Sequence, residues 1–156
     1  MVESGNLRER GEKMFRGEYR HNIDAKGRII VPIKFRENLG TEFVITRGFE
    51  NSLFVFPMSE WSVFSEKLKG LPLTNKNSRA LTRHFLSGAC DCEVDKQGRI
   101  LLPQHLIEFA GINKEVTVAG NGNKLEIWST ENWTEYIEAM DTDEVTAGLD
   151  EVGIMI

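Results

Sequence analysis

The chain has 156 residues, is 40% hydrophobic and carries a formal net charge of -5. This size and composition allow one domain or two small halves that share a core, and no run of eighteen apolar residues is present to form a membrane-spanning helix. The N-terminal sequence MVESGNLRERGEKMF lacks the apolar segment of a secretory signal, so we expect a soluble cytoplasmic protein.

Local patterns in the first half predict a β-rich unit of alternating short strands and helices. The predicted elements are a strand at 19–23, a turn at DAKG (24–27), a strand at 28–31, a helix at 33–39, strands at 42–47 and 52–56 joined by GFEN, and a helix at 59–70. Pro32 fits the first helix's opening turn, Gly40 fits its end, and Ser59 is the candidate N-cap of the second helix.

The second half repeats the first at an offset of 71 residues. Residues 17–40 align with 88–111, and after one inserted residue 48–61 align with 120–133. The second unit therefore has strands at 115–120 and 124–129, and a closing helix that Ser129 or Thr130 caps. Because about fifty residues are marginal alone, we expect the two units to pair.

The predicted organisation has five parts. They are an N-terminal extension (1–13), a first module (14–70), a helical linker (71–87), a second module (88–140) and an acidic and apolar C-terminal tail (141–156). We expect the tail to be a frayed terminus, with docking on a neighbouring molecule as the alternative.

The charge is distributed unevenly along these parts. Residues 131–156 contain eight acidic residues and neither Lys nor Arg, whereas residues 14–130 carry a net charge of +3. The acidic residues 131–156 therefore mask, in the overall charge, that residues 14–130 are mildly basic. This charge allows a nucleic-acid partner but is also typical of an ordinary mixed surface.

The motif D-x-x-G-R occurs in both units, at Asp24–Arg28 and Asp95–Arg99. An Asp four residues before an Arg across a tight turn can hold the guanidinium and fix its direction, a geometry that suits phosphates and guanine edges. Lys26 and Lys96 add charge beside the two motifs. The alternative is an Asp that caps its turn and an Arg that makes a structural salt bridge; residue chemistry leaves these two interpretations open.

The sequence predicts no enzyme, no cofactor and no metal site. It contains no G-x-S-x-G, Walker or H-E-x-x-H motif, and its three histidines lie in unrelated contexts. Cys90 and Cys92 are too close along one strand for a strain-free disulfide, and two thiols alone do not complete a zinc site. We expect both to be reduced.

Residues 14–40, MFRGEYRHNIDAKGRIIVPIKFRENLG, followed by DKQGRILLPQHL at 95–106, resemble the MraZ family over about 14–140. The resemblance implies an α+β, β-rich fold in which two tandem AbrB-like modules pair into a double-split β-barrel (swapped-hairpin) with flanking short helices. It also implies a bacterial DNA-binding transcriptional regulator of the division and cell-wall gene cluster, associated with the nucleoid and assembled into a ring of identical subunits, with an octamer expected.

The resemblance implies that the DNA-binding site is formed by the two D-x-x-G-R motifs. The expected DNA-binding residues are Arg28, Lys26, Arg16, Arg99 and Lys96, and the motif-supporting residues are Asp24, Gly27, Asp95 and Gly98. Asp24 is expected to orient Arg28, since a free carboxylate facing phosphates is repelled. The second unit has Gln97 where the first has Lys26, which favours the first unit as the DNA-facing half.

Two binding alternatives remain from the residues. An oligomeric interaction protein would sequester a protein partner through its acidic residues 131–156, with DNA binding incidental. An antitoxin-like role is a variant of this, although duplication within one chain argues against it. RNA binding is weaker, because Phe43, Phe54 and Phe56 lie in apolar strands rather than on an exposed aromatic platform. The helical aromatics Trp61, Phe64, Phe85 and Trp133 are expected in the core, with a ring interface as the alternative.

Overall fold

The computed structural model describes residues 14–154 and contains the predicted β-β-α-β-β-α order twice. The strands within these residues are β1 (Glu18–Asn22), β2 (Arg28–Ile30), β3 (Glu42–Arg47), β4 (Leu53–Pro57), β5 (Cys90–Glu93), β6 (Arg99–Leu101), β7 (Glu115–Asn121) and β8 (Lys124–Ser129). The α-helices of the described part of the chain are α1 (Ile33–Leu39), α2 (Met58–Lys69), α3 (Lys76–Gly88), α4 (Gln104–Ala110), α5 (Thr130–Ala139) and α6 (Thr142–Gly148), and a 3-10 helix follows at Leu149–Val152. The predicted extension at 1–13 lies outside the described residues, as do the last two residues of the predicted tail.

The two units exchange their first strands. Six strands form one antiparallel sheet in the order β1-β7-β8-β4-β3-β5. In this sheet β1 of the first unit pairs with β7 of the second, and β5 of the second pairs with β3 of the first. The remaining strands, β2 and β6, form a two-stranded ribbon in which Ile29 lies opposite Ile100. The predicted α+β fold of two paired, strand-swapped modules is therefore confirmed.

The expected closure into a barrel is not observed. Within residues 14–154, β1 and β5 stay at opposite edges of the six-stranded sheet, and the ribbon strands pair only with each other. β2 and β6 have three residues each, so their few ladder groups are used in the ribbon and do not join it to the sheet edges. The ribbon instead forms a second layer over an open sheet.

Side-chain alternation along β4 divides the core into two layers. Leu53 and Val55 belong to the main cluster, which also contains Ile29 and Ile100 of the ribbon. The intervening Phe54 and Phe56 point to the other face of the sheet, where they meet α2 and α3. The ribbon and these two helices therefore lie on opposite sides of the six-stranded sheet.

The helical aromatics pack mainly on this second face. Phe85 is buried against Phe54, Trp61 and Phe64 are half-buried beside them, and Trp133 of α5 lies 5.3 Å from Trp128 between ring centroids. The interpretation of these aromatics as core residues agrees with this packing.

Helix starts follow the chain's capping chemistry, with one correction. The Asn75 side chain accepts from the Ser78 N–H at the start of α3, and Ser129 accepts from the Asn132 N–H at the start of α5. Ser59 is not the N-cap of α2, because that helix already begins at Met58, directly after Pro57. Proline before the first turn fixes the chain in an extended conformation without a side-chain cap.

The C-terminal region is helical rather than frayed, contrary to the expectation for its described part. Asp141 accepts from the N–H groups of Asp143 and Glu144 and so begins α6. Nearly every residue from 135 to 154 is exposed. None of the helices described between residues 14 and 154 combines the length and apolar character needed to cross a bilayer.

Candidate nucleic-acid interface

The first D-x-x-G-R turn is closed by its aspartate. Oδ1 of Asp24 accepts the backbone N–H groups of Lys26 at 3.0 Å and Arg28 at 2.8 Å, while Oδ2 accepts Nε of Arg28 at 2.7 Å. Gly27 has φ +85°, a left-handed conformation that glycine adopts without a Cβ clash. One carboxylate thus shapes the turn and also fixes the direction of the guanidinium.

The second turn repeats this geometry. Oδ1 of Asp95 accepts the N–H groups of Gln97 and Arg99, both at 2.8 Å, and Oδ2 accepts Nε of Arg99 at 2.9 Å. Gly98 has φ +78°. Since the same five-residue pattern produces the same bonds twice, the two interpretations of the motif coexist: the Asp caps its turn, and it also braces its Arg.

The hydrogen bonds also act on the carboxyl groups. The pKa of Asp24 lies below its ordinary value, first because the Arg28 backbone N–H donates to it, and further because the Arg28 guanidinium does. The pKa of Asp95 is lowered in the same way by the backbone and side chain of Arg99. Both carboxylates therefore stay ionised at neutral pH.

The two arginines share the outward face of the ribbon. Ile29 and Ile100 point into the core, so Arg28, Ile30, Arg99 and Leu101 face outward in cross-strand pairs of Arg28 with Leu101 and Ile30 with Arg99. The arginines are diagonal neighbours on this face, about 7–8 Å apart by ordinary ladder geometry.

Neither guanidinium is enclosed. The side chains of Arg28 and Arg99 are 28% and 27% exposed. Each Asp binds only Nε, and among residues 14–154 the terminal Nη groups of these arginines have no protein partner. Each motif therefore holds hydrogen-bond donors in a fixed direction at a partly exposed position.

The two turns are locked to each other. The Leu102 N–H donates to the Gly27 carbonyl, and the Val31 N–H donates to the Gly98 carbonyl, both at 2.9 Å. Each turn is thus held by the end of the other unit's ribbon strand. A shift of one turn would disturb the other, which keeps the spacing of the arginines fixed.

The surroundings of the turns differ at one repeat-equivalent position. Beside Gly98 lies the guanidinium of Arg36 on α1, whose Nε donates to the Val31 carbonyl at 2.8 Å. Beside Gly27 lies Ile107 on α4, the residue that aligns with Arg36 at the offset of 71. The fold therefore brings an additional cation to the second turn and an aliphatic side chain to the first.

Acidic residues accompany the first turn. Lys26 lines an open cleft of about 510 Å³ together with Asp91 and Glu93 of β5. At the offset of 71, these acids align with Arg20 and Asn22 of β1. The local charge thus favours the second turn as the more positive one, whereas the sequence comparison of the motifs alone favours the first.

The remaining predicted contact residues are divided between the turns and the far end of β1. Lys26 and Lys96 lie exposed in the two turns. Arg16 lies beside the β7–β8 hairpin, where the flanking Phe15 bridges to Gly122, and the five residues of β1 place about 17 Å between it and the first turn. The structure does not bring Arg16 together with Arg28 in one chain.

Arg36 is the cation that sequence reasoning missed. The signal was present in the alignment, which pairs Arg36 with Ile107, and in the swapped-hairpin fold, which places each unit's helix next to the other unit's turn. The contact is not visible from the neighbours of either motif in sequence, because Arg36 and Gly98 belong to different modules.

The cysteines form no site of their own. Sγ of Cys90 lies 4.0 Å from Nε2 of His105, and within residues 14–154 no cluster of three His, Cys, Asp or Glu side chains has the arrangement to hold a metal ion. Burial raises the pKa of Cys92 to about 11, with smaller contributions from Cys90 and Asp91. Both thiols are free.

Comparison with known proteins matches the sequence of this chain to a family. The model of the family described as "MraZ protein, putative antitoxin-like" matches twice, at residues 14–84 and 85–151. Proteins named "Transcriptional regulator MraZ" from Halothermothrix orenii and Clostridium acetobutylicum are 50% and 52% identical, each over 90% of this chain and 100% of their own length. The relative of the same name from Natranaerobius thermophilus is 55% identical over 79% of this chain and 86% of its own.

Proposed function

The chain belongs to the MraZ family, and on that premise we propose that it is a sequence-specific transcriptional regulator of the bacterial division and cell-wall gene cluster. It binds promoter DNA through the two Arg-bearing turns, presented by a ring of identical subunits. The observation that carries this proposal is the pair of Asp-braced guanidiniums on one outward face of the ribbon.

The shape of the ribbon is suited to contact with base edges. The major groove of B-DNA is about 12 Å wide and admits a two-stranded β-ribbon. An Arg whose Nη groups project in a fixed direction suits the paired acceptors of guanine or two phosphate oxygens. Ile30 and Leu101 lie beside the arginines and suit the methyl group of thymine. Lys26, Lys96 and Arg36 add phosphate contacts.

Charge alone gives weak binding, because each braced Arg is largely neutralised by its Asp and residues 14–130 carry only +3. Repetition overcomes this weakness, since linked sites raise the effective concentration of each further contact. Neighbours in a ring are related head to tail, so the operator consists of direct repeats about 10 base pairs apart, one helical turn.

The test measures the affinity of the full chain for DNA from the region upstream of its own gene, by fluorescence anisotropy over a salt series. Intact repeats are compared with a scrambled sequence of the same composition, and the parent chain with Arg28→Ala/Arg99→Ala. We expect the double variant to lose most of its affinity and to have a shallower salt dependence, because fewer phosphates are neutralised.

A matched control is Lys67→Ala/Lys76→Ala, which removes two exposed positive charges from α2 and α3 on the opposite side of the sheet. This control is expected to bind as the parent chain does. Equal affinity for intact and scrambled repeats, or a double variant that binds normally, contradicts the proposal. If DNA binding also disappears at moderate salt while a protein partner is retained in a pull-down, the sequestration alternative is correct instead.

A further inference from the structure

The C-terminal segment, residues 142–154, has an apolar stripe without a partner in the chain. Val145, Leu149 and Val152 are spaced by four and three residues along α6 and the 3-10 helix, and Val145 and Val152 are 53% and 67% exposed. Glu144 and Glu151 flank the stripe on one side. An isolated helix of this length is marginal in water, so a packed partner is expected to stabilise it.

A complementary surface lies on the other module. The basic cleft is formed by the end of α2, the following loop and α3, has a volume of about 240 Å³, and is lined by Leu68, Lys69, Leu73, Arg79, Arg83 and Leu86 among others. Leu73 and Leu86 are exposed. Residues 67–90 contain five Lys or Arg and no acidic residue, whereas residues 142–154 contain four acidic residues and no Lys or Arg. The two surfaces are opposite in charge and both apolar at their centres.

The location of the basic cleft is compatible with DNA binding. α2 and α3 pack on the face of the sheet opposite to the ribbon, so an occupant of the cleft leaves both turns accessible. The surfaces also differ from each other, and a contact between different patches on identical chains is heterologous and propagates into a ring when the rotation closes.

We propose that the C-terminal segment of one copy docks in the basic cleft of the next, with Val145, Leu149 and Val152 against the leucines and Glu144 and Glu151 against Lys69 and Arg83. The inference deepens the proposed function and rests on it for the head-to-tail order of subunits. Burial of apolar side chains stabilises the contact, and charge complementarity determines which surfaces meet.

A charge exchange tests this contact on the full chain without DNA. The cleft variant is Lys69→Glu/Arg83→Glu, and the segment variant is Glu144→Lys/Glu151→Lys. Arg79 is left in place because its Nη1 donates to the Leu73 carbonyl at 3.0 Å and supports the loop. Each variant alone brings like charges together, so light scattering is expected to show loss of the assembled mass. An equimolar mixture restores opposite charges at every contact and is expected to regain it.

Apolar variants add an independent readout. Val145→Ser/Val152→Ser is expected to dissociate the assembly, whereas Val63→Ser, at an exposed valine of α2 outside the cleft lining, is expected to leave it intact. Circular dichroism and thermal unfolding establish that each variant is folded. Because the segment makes few contacts within its own chain, its substitution has little effect on the fold of the monomer.

The inference is wrong if the parent chain has the mass of a single subunit, if either charge variant keeps the parent mass, or if the mixture fails to reassemble. A segment that closes on its own cleft gives the first of these results. The same samples are then assayed with promoter DNA. Reassembly without DNA binding rejects the proposed function alone. A charge variant that keeps both the parent mass and repeat-specific DNA binding rejects this inference alone.

Discussion

The turn at 24–28 and the turn at 95–99 have the same internal hydrogen bonds and different surroundings. Each carboxylate accepts two backbone N–H groups and one guanidinium Nε. The second turn has Arg36 against it, while the first has Ile107 against it and shares a cleft with Asp91 and Glu93. Local sequence determines the shape of the turn, whereas the other module determines its electrostatic environment.

This comparison shows how a duplicated unit can specialise without altering its motif. The two D-x-x-G-R sequences need not diverge, because substitutions at positions 36 and 107 change the potential at the opposite turn. The second turn is accordingly expected to contribute more to DNA affinity. The following predictions test that difference, from the largest expected effect to the smallest.

The glycines of the two turns should differ in their tolerance of a side chain. Gly27→Ala places a Cβ at positive φ and is expected to lower the free energy of unfolding by about 1–2 kcal/mol. Gly98→Ala has the same strain and also overlaps the Arg36 guanidinium, so the bond from Arg36 to the Val31 carbonyl is displaced. For Gly98→Ala we expect the free energy of unfolding, measured with urea, to fall by about 2–3 kcal/mol in total.

A double variant identifies the cause of that difference. In an Arg36→Ala background, Gly98→Ala should lower the free energy of unfolding by no more than Gly27→Ala does, because the overlapping guanidinium is absent. Equal costs of the two glycine substitutions in the parent chain would show that Arg36 moves aside freely.

The arginines should contribute unequally to binding. Arg99→Ala is expected to weaken promoter binding by about tenfold or more, within the roughly 1–3 kcal/mol of a good guanidinium contact, and Arg28→Ala by less, because Asp91 and Glu93 already oppose phosphate near the first turn. Fluorescence anisotropy at fixed salt measures both. A larger loss for Arg28→Ala would reverse the ranking and favour the first module as the main DNA-facing half.

Replacement of Arg36 by the residue at the equivalent position makes the two turns more alike. Arg36→Ile is expected to weaken DNA binding by about threefold, the scale of one screened surface charge. In the Arg36→Ile background, the losses of DNA affinity caused by Arg99→Ala and by Arg28→Ala should also become more similar. The salt series is the appropriate measurement, since its slope reports the lost phosphate contact. An unchanged slope would remove Arg36 from the interface.

Acid should weaken both turns over the same pH range. The pKa values of Asp24 and Asp95 are lowered by folding, so their contribution to stability is present above the ordinary aspartate pKa and is lost as pH falls from about 4 through the lowered values. The free energy of unfolding, measured by urea at several pH values, should therefore fall less steeply below pH 4 for Asp24→Asn/Asp95→Asn than for the parent chain. If the free energy of unfolding had the same pH dependence in both proteins, the lowered pKa values of Asp24 and Asp95 would be contradicted.

The sequence predicted the helices and strands well where the hydrophobic pattern agrees with the Pro, Gly or Ser residues that begin or end an element. The helix between Pro32 and Gly40, the strand at 42–47 and the strand at 124–129 have the expected bounds. Ser129 was recognised as a cap because a hydroxyl directly precedes the helix, whereas Ser59 gave the same signal two residues after the proline that actually precedes α2.

Non-local features were less accessible. The open sheet and the contact of Arg36 with the second turn depend on which strands pair across the modules, and periodicity within one strand carries no information about its partner. The braced arginines were predictable because all their bonds lie within five residues. The helical C-terminal segment was missed because its apolar residues are few and were interpreted as a fraying end.

The exchange of first strands has a consequence for synthesis on the ribosome. Tyr19 pairs with Val118, so β1 emerges about a hundred residues before its partner. At 5–20 residues per second, that interval lasts roughly 5–20 seconds. For part of this time, after the hairpin β3–β4 has emerged and before β5 follows at Cys90–Glu93, the edge of β3 lacks its partner and is open to other chains. Translation speed and chaperone access should therefore influence the yield of this protein more than they would for two modules that fold independently.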